Sequence, residues 1–360
     1  MARSTLPGTH QEVPTGLITG GVDTHLDVHV AAALDQIGGL LGTASFRTTP
    51  AGYRELLRWL RSFGPISQVG IEGTSSYGAG LTRALQQAGV TVVEVDRPNR
   101  QVRRREGKSD SLDAIAAARS VLAGTALGAP KTMGGNVEGI RVLSVARASS
   151  VKARIQALNQ IRSLVSTAPA ELREHLRALS IGDTVATCAS YRPRAGSDVE
   201  TVCKVALRLL ARRVQYLDEE VLELDARRTA LVQEVAPKLL EAFGVGPDTA
   251  ATLLVSVGDN PERLSSEAAF ARLCGVAPIP TGSGKTDGYH RLHRGGDRQA
   301  NSALWRIVMV RMAHDPQTRA YVQRRTKEGK QKLFIIRCLK RYVARELFLL
   351  LPRPEQPLTV

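Results

Sequence analysis

The first third of the chain alternates short apolar runs with amphipathic segments, a pattern typical of strands and helices that share one domain. TGLITGGVD is an apolar run ending in an aspartate, and the next two runs, separated by Gly38 and Gly39, predict a hairpin. An amphipathic helix, a buried strand ending in a glutamate (SQVGIEG), a helix, a strand and a helix follow. This order predicts a mixed sheet covered by helices.

The middle of the chain has the spacing of long helices. One helical stripe begins at Val151, Ile155 and Leu158, and a second, broken only at Arg228, has apolar residues every three or four positions over four heptads. The second stripe comprises Leu207, Leu210, Val214, Leu217, Val221, Leu224, Leu231 and Val235. We predict a long helical hairpin with a coiled-coil seam. The seam is either internal or shared with a second copy, and a charged residue at a seam position favours a dimer contact.

The last third predicts a helical domain that contains glycine-rich loops. LLEAFGVGPDTAATLLVSVGD indicates two helices joined by a Gly-Val-Gly turn, which is either an ordinary helix connection or a turn whose N–H groups bind phosphate. A segment rich in Gly, Lys, Arg and hydroxyl groups comes next, then two long basic helices. We therefore expect a disordered tail over 1–15, an α/β domain over 16–130, a helical hairpin over 131–235 and a mostly helical domain over 236–352.

Composition narrows the functional classes. The chain has 360 residues, 43% of them hydrophobic and 4% aromatic, so it can form two or three packed domains but not broad base-stacking surfaces. No apolar run reaches the roughly 18 residues of a membrane span, and the N-terminus lacks a hydrophobic signal core. Four scattered cysteines without a CxxC pair fit a reducing compartment. We expect a cytoplasmic protein.

The positive charge is concentrated toward the C-terminus. The net charge is +15, and a surface of that sign prefers polyanions, nucleic acid first. Residues 1–130 contribute +2, residues 131–240 contribute +5 and residues 241–360 contribute +8. The last third is therefore the best candidate for a surface that faces phosphates, the alternative being a merely soluble basic protein.

Four acids stand at special places in the first domain. Asp23 and Glu72 end predicted strands, and Asp110 and Asp113 are three residues apart, on one face of a predicted helix that begins at Ser109 or Asp110. Crowded carboxylates repel unless a cation lies between them, and divalent ions such as Mg²⁺ take oxygen ligands of this kind. Each acid alone is more simply a cap or a surface residue, but the set of four favours a metal site for phosphodiester chemistry.

These acids, together with KSDSLDA and HRGGDRQAN, resemble a known family. The first domain is similar to the RuvC-like (ribonuclease H fold) nuclease domain of the DEDD type, and GVGPDTAATLLVSVGD, LCGVAP and SGKTDGYHRLHRGGDRQANSAL resemble the transposase domain of the same proteins. Over roughly residues 17–350 the chain looks like a DEDD transposase of IS110-type insertion sequences, related to Piv-type DNA invertases.

The resemblance implies a specific chemistry. A serine of the C-terminal domain attacks DNA and forms a phosphoserine link, while the four acids hold Mg²⁺ or Mn²⁺. The matching serine is Ser283, because Gly282 replaces the first of the two serines that relatives often have. The family also implies DNA as substrate, a structured bridge RNA as guide, a homo-oligomer (dimer or tetramer) whose site is built within one chain or between chains, and action at the bacterial nucleoid.

Two groups of cations flank the residues that would carry the chemistry. The group just before Asp110 is either a solvated loop or, as its position favours, a grip on a nucleic-acid backbone: Arg97, Arg100, Arg103, Arg104, Arg105 and Lys108. In the second group Lys285 would neutralise transition-state charge while the others hold the flanking strand: Lys285, Arg291, Arg294 and Arg298.

Two other patterns carry less weight. GSGKT ends like a phosphate-binding P-loop, but the position that must be glycine is Ile279, so no ATP site is expected. His25 and His29 have a spacing that holds metals on helices, yet they fall on a predicted turn and strand start, and we interpret them as local polar residues. The alternatives to a recombinase are a RuvC-like structure-selective DNA endonuclease and a non-catalytic nucleic-acid scaffold.

Overall fold

The computed structural model describes residues 16–95, 109–126, 128–282, 290–292 and 295–352. They belong to two compact units, Met1–Met133 and Gly134–Val360. The first unit has the predicted order of elements. These are β1 Ile18–Thr24, β2 Val28–Leu34, β3 Leu40–Arg47, α1 Pro50–Arg61, β4 Ile66–Glu72, α2 Ala79–Gln87, β5 Val92–Val95 and α3 Asp110–Leu122.

The sheet of the first unit is mixed, as predicted. Its strand order is β3-β2-β1-β4-β5, with β3, β2 and β1 antiparallel to one another and β1, β4 and β5 parallel. Helices α1 and α2 cover one face, where Leu56 and Leu81 pack against Val22 and Ile71. Helix α3 covers the opposite face of the sheet, where Val121 packs against β5.

The second unit is mostly helical. It contains α4 Asn136–Thr167, α5 Ala170–Arg177, α6 Ile181–Ser190, α7 Val199–Val235, α8 Pro237–Glu241, α9 Pro247–Val257, a 3-10 turn Pro261–Arg263, α10 Glu267–Leu273, β6 Pro278–Pro280, β7 His290–Leu292, α11 Arg298–His314, α12 Pro316–Lys327 and α13 Lys332–Leu350. None of the described helices has an apolar stretch of membrane-spanning length.

Helices α4 and α7 form an antiparallel hairpin. Asn136, near the start of α4, donates to Glu234 at the end of α7, and Arg154 pairs with Asp218 further along. Near the tip, Leu207 packs with α5 and α6 in an apolar cluster. The middle of the hairpin is polar instead, with the side chains of Arg147, Arg154 and Ser150 hydrogen-bonded to acids of α7.

This polar middle explains why the apolar stripe that begins at Val151 does not mark the buried face of α4. Helix α4 begins at Asn136, 15 residues before Val151, and its first turns already contain the buried Val137 and Ile140. Ile155, which we expected on the stripe, is 51% exposed. The buried positions nearer the tip are Ala157 and Ile161.

Arg228 is buried within the chain. Its side chain is 5% exposed, and its guanidinium donates to Asp225 at 2.8 Å and to Asp248 of α9 at 3.0 Å. Asp248 also pairs with Arg306 of α11. The argument that a charged seam residue points to a partner chain is therefore wrong for Arg228, because this guanidinium is neutralised by acids of its own chain.

The base of the hairpin shares one core with the C-terminal helices. Ile140 of α4 and Val232 of α7 belong to the same buried cluster as Leu254, Leu304 and Leu339. Helix α11 ends at His314, and the short α12, in which no described residue is buried, leads into α13. The hairpin and the C-terminal helices therefore form one compact unit.

Candidate metal centre

Asp23 and Glu72 lie side by side at the ends of parallel strands. Val22 pairs with Ile71, so the next residue of each strand is an acid, and the Thr24 hydroxyl donates to the Glu72 carbonyl at 2.8 Å. Side chains of a strand alternate between the two faces of the sheet. Since Val22 and Ile71 face α1 and α2, both acids are directed to the face covered by α3.

Helix α3 lies unusually close to that face. Gly21 and Gly70 stand directly beneath it, and a Cβ at Gly21 would overlap the backbone oxygen of Ala114 and the backbone nitrogen of Ala118. A Cβ at Gly70 would lie 2.9 Å from the Ala117 oxygen. Glycines in the strands and alanines in the helix thus allow the close approach, which brings the first turn of α3 to the strand ends.

The first turn of α3 carries the other two acids. The Ser109 hydroxyl accepts from the Leu112 N–H at 3.3 Å, which confirms the predicted N-cap and fixes the start of the helix. Asp110 and Asp113 follow in the first turn, where the helix dipole favours negative charge. Both carboxylates act electrostatically on Asp23.

An imidazole joins this group of carboxylates. His25 Nε2 lies 3.1 Å from Asp23 Oδ2 and 3.4 Å from Asp110 Oδ1. The three residues each offer one ligand atom, and these atoms lie within 4.8 Å of one another. The Asp23 side chain is 10% exposed, whereas those of His25 and Asp110 are 45% and 49% exposed. The cluster therefore opens to solvent on one side.

The electrostatics favour a bound cation. Burial raises the pKa of Asp23 above its ordinary value of 3.8, and the charges of Asp113 and Asp110 raise it further, while His25 opposes them. A divalent ion between these side chains would reverse that repulsion. The donor set of carboxylate oxygens and one imidazole nitrogen suits such an ion.

His29 has a different role from His25. Its side chain is fully buried and stacks on Tyr53, with ring centroids 5.8 Å apart. Burial lowers the pKa of His29 to about 4, so the ring is neutral at physiological pH. Our interpretation of both histidines as local polar residues is wrong for His29, which is a core residue, and it missed the contacts of His25. The missed signal is position: a residue two after Asp23 returns to the same face of the sheet.

Only some of the other predicted site residues lie in the part of the chain that the structure describes. Arg291 on β7 and Arg298 at the start of α11 are exposed, as binding residues must be. Strands β6 and β7 pair with Pro280 opposite His290, so they flank the segment that contains Ser283. The predicted residues outside the described part of the chain are Arg97, Arg100, Arg103, Arg104, Arg105, Lys108, Ser283, Lys285 and Arg294.

The Gly-Val-Gly turn and the start of α9 are hydrogen-bonded to groups of the same chain. Gly244 has φ +79, and the Gly246 N–H donates to Thr249 Oγ1 at 3.1 Å. Asp248 lies in the first turn of α9 and accepts from Arg228. The start of α9 thus already has a carboxylate that complements its dipole.

The predicted basic helices carry a further basic surface, on α12 and the start of α13, whose residues are not among the predicted binding residues. Between Pro316 and Arg337 there are seven basic residues and one acid, Glu328. Arg324 lies over the Tyr321 ring, with 5.4 Å between guanidinium carbon and ring centroid. We call the following group the α12–α13 basic surface: Arg319, Arg324, Arg325, Lys327, Lys330 and Lys332. All but the half-buried Arg325 are exposed.

Comparison with known proteins gives two family matches. Residues 20–168 match the DEDD transposase model of the IS110 type, and residues 236–323 match the model described as the transposase IS116/IS110/IS902 family. The first match includes Asp23, Glu72, Asp110 and Asp113. Both matches agree with the family that the motifs resemble.

Three proteins with insertion-element names are similar to this chain. An uncharacterized 43.6 kDa protein of IS110 from Streptomyces coelicolor is 34% identical over 34% of this chain and 30% of its own length. An uncharacterized 42 kDa protein of IS900 from Mycobacterium paratuberculosis is 27% identical over 44% and 41%. The S. coelicolor protein named "Mini-circle putative transposase for IS117" is 26% identical over 86% and 87%. The matches therefore span less than half the length of the first two relatives. With both family models matching in order along it, the chain belongs to the IS110-type DEDD transposases.

Proposed function

We propose that this protein is a DNA recombinase of a mobile element, which cuts and rejoins DNA at the element's ends. The observation that carries the proposal is the convergence of Asp23 and Asp110, from a strand end and a helix 87 residues later, on one partly open cluster. Family membership supports DNA as the substrate. The sheet order β3-β2-β1-β4-β5 supports assignment to the RuvC-like ribonuclease H fold.

The acidic cluster would hold Mg²⁺ or Mn²⁺. Asp23 and Asp110 offer carboxylate oxygens close to each other. Glu72 ends the strand next to Asp23, and Asp113 lies in the same helical turn as Asp110. A bound divalent ion would stabilise the negative charge that develops on a phosphodiester. The chain's own contribution is to hold the carboxylates together at the edge of the sheet, where DNA can reach them.

Ser283 would be the nucleophile. Its hydroxyl loses a proton and its oxygen forms a bond to phosphorus, while one P–O bond of the DNA backbone breaks and the leaving oxygen takes up a proton. The phosphoserine ester keeps the free energy of the broken bond for rejoining, which hydrolysis would lose. Lys285 would neutralise the phosphate charge in the transition state. The hairpin of β6 and β7 supports this role by flanking the segment with exposed Arg291.

The nucleic-acid surface would include more than the predicted cations. The α12–α13 basic surface is exposed and nearly free of acids, as binding to a phosphate backbone requires. Arg291 and Arg298 would add to it, and the set from Arg97 to Lys108 would grip the strand near the acids. A structured guide RNA and a dimeric or tetrameric assembly are proposals that rest on the family resemblance. So does a site shared between chains.

The test is recombination of the element itself. The gene is expressed together with its native flanking DNA, and excised circles or new junctions are sought by amplification and sequencing. We expect junctions from the unchanged protein and none from Asp110→Asn or Ser283→Ala. Cleavage without rejoining that persists in Ser283→Ala would indicate the endonuclease alternative. Full activity after replacement of all four acids would indicate the scaffold and contradict the proposal.

A further inference from the structure

We propose that His25 is itself a metal ligand through Nε2, and that this nitrogen makes the centre prefer Mn²⁺ to Mg²⁺. The inference rests on the proposed metal centre and adds to it a residue outside the four acids. It concerns which ion the protein selects, so it can be tested by binding alone.

The spacing of the donors fits an inner coordination sphere. An octahedral ion with bonds of about 2.1 Å has neighbouring ligands about 3 Å apart. His25 Nε2 lies 3.1 Å from Asp23 Oδ2 and 3.4 Å from Asp110 Oδ1. The imidazole nitrogen therefore stands, relative to each carboxylate oxygen, where an adjacent ligand of one ion would stand.

The backbone holds His25 in this position. The residue directly follows β1, and the Thr48 hydroxyl donates to its carbonyl oxygen at 3.3 Å. Its side chain is 45% exposed, so its position is not explained by core packing, in contrast to the fully buried His29. The contacts of Nε2 with two carboxylates therefore need a different explanation.

Two explanations of these contacts make opposite demands on the ring. As a counter-ion, an imidazolium would donate its Nε2–H to the carboxylates, and a metal would have to displace the ring. As a ligand, a neutral ring would give its Nε2 lone pair to the metal. Removal of the ring strengthens metal binding in the first case and weakens it in the second. The sign of the change separates the two.

The nitrogen donor also sets the ion preference. Mg²⁺ favours oxygen ligands and keeps several waters, so it would gain little from an imidazole. Mn²⁺ belongs to the first-row series whose affinity for mixed nitrogen and oxygen sites rises through Fe²⁺ and Co²⁺. The donor set of two carboxylates and one imidazole thus favours a first-row ion, with Mn²⁺ as the convenient probe.

The experiment measures Mn²⁺ on the full chain, without DNA, by electron paramagnetic resonance and its electron spin-echo modulation from nitrogen. We expect ¹⁴N coupling in the unchanged protein. His25→Gln should lose that coupling and bind Mn²⁺ about tenfold more weakly, with Mg²⁺ affinity by calorimetry changed by no more than about twofold. His175→Gln, at an exposed histidine of α5, is the control and should behave as the unchanged protein.

Each other outcome has one meaning. Bound Mn²⁺ without nitrogen coupling, coupling that persists in His25→Gln, or tighter Mn²⁺ binding in that variant overturns the ligand assignment and leaves the metal centre standing. Absence of Mn²⁺ binding, or binding unaffected by Asp23→Asn together with Asp110→Asn, overturns the metal centre and the inference with it. Circular dichroism melting of every variant shows whether it is folded.

Discussion

Gly21 of β1 lies so close beneath Ala114 of α3 that any side chain on Gly21 would overlap the helix backbone. The position of Asp110 and Asp113 relative to Asp23 depends on this approach, since both acids lie in the first turn of the same helix.

Gly21→Ala should therefore disturb the proposed metal centre without changing any of its proposed ligands. The added methyl must push α3 outward, at a cost of about 1–3 kcal/mol in the free energy of unfolding. We expect a lower melting temperature and weaker Mn²⁺ binding. Gly134→Ala is the control, because a Cβ there has no atom within 4 Å. Unchanged melting and metal binding in Gly21→Ala would show that the helix and sheet are less tightly packed than described.

Asp23→Asn should stabilise the metal-free protein at neutral pH. Burial raises the pKa of Asp23 in the folded state, so ionisation of this carboxyl costs stability as the pH rises through that pKa. The gain should disappear below the ordinary value of 3.8, where the group is protonated in both states. Urea unfolding with a chelator present, at both pH values, measures it. Asp27→Asn, at an exposed acid four residues away, should show no such gain.

Arg228→Ala should be far more destabilising than Arg227→Ala. Arg228 is 5% exposed, and its loss removes a buried donor from Asp225 and Asp248, which keep Arg147 and Arg306 and are about a third exposed, so we expect a cost of about 1–3 kcal/mol. Arg227 pairs with Glu223 at the surface, where both side chains are about two-thirds exposed and such a pair contributes about 0–1 kcal/mol. Denaturant unfolding of both variants checks the contrast, and equal effects would refute it.

Ser283→Ala should bind DNA normally and form no covalent adduct. The hydroxyl is needed only for the bond to phosphorus, so removing it leaves the cationic surface intact. Denaturing gels with end-labelled element DNA and divalent metal detect the adduct. Ser302→Ala, on an exposed position of α11, is the matched control. An adduct of normal yield in Ser283→Ala would mean that another residue attacks.

Neutralising the α12–α13 basic surface should weaken DNA binding and flatten its salt dependence. In Arg324→Gln/Lys327→Gln/Lys330→Gln, each lost phosphate contact lowers the log–log salt slope by about 0.9 on duplex DNA. The control triple Arg54→Gln/Arg58→Gln/Arg61→Gln removes three exposed cations of α1 and should leave the slope unchanged. Anisotropy titrations at several salt concentrations give both slopes. Equal slopes for the two triples would remove this surface from the binding site.

The sequence alone was sufficient to predict the elements that local residue patterns determine. Apolar runs revealed every strand of the sheet in the first unit, and Ser109 was one of the two predicted starts of α3. The convergence of Asp23 with Asp110 could be predicted because acids at strand ends and at a helix start meet at one edge of a sheet. What remained hidden depends on tertiary contacts.

Three residues show this dependence. His25 looked like a turn residue because one of its two partners, Asp110, lies on a helix 85 positions away. Ile155 belonged to an apolar stripe and yet is exposed, because salt bridges rather than apolar contacts join the middle of the hairpin. Arg228 looked misplaced because one of its acid partners, Asp248, lies on α9, 20 residues further along the chain.

The close packing of α3 also has a consequence for biosynthesis. The helix that closes one face of the sheet carries two of the four acids, so covering that face and completing the acidic cluster are the same event. A nascent or truncated chain that ends before Asp110 has the strand-end acids but only half of the carboxylates. The proposed metal centre therefore forms together with the folded unit, and a gene fragment that ends before the codon of Asp110 would encode a protein without it.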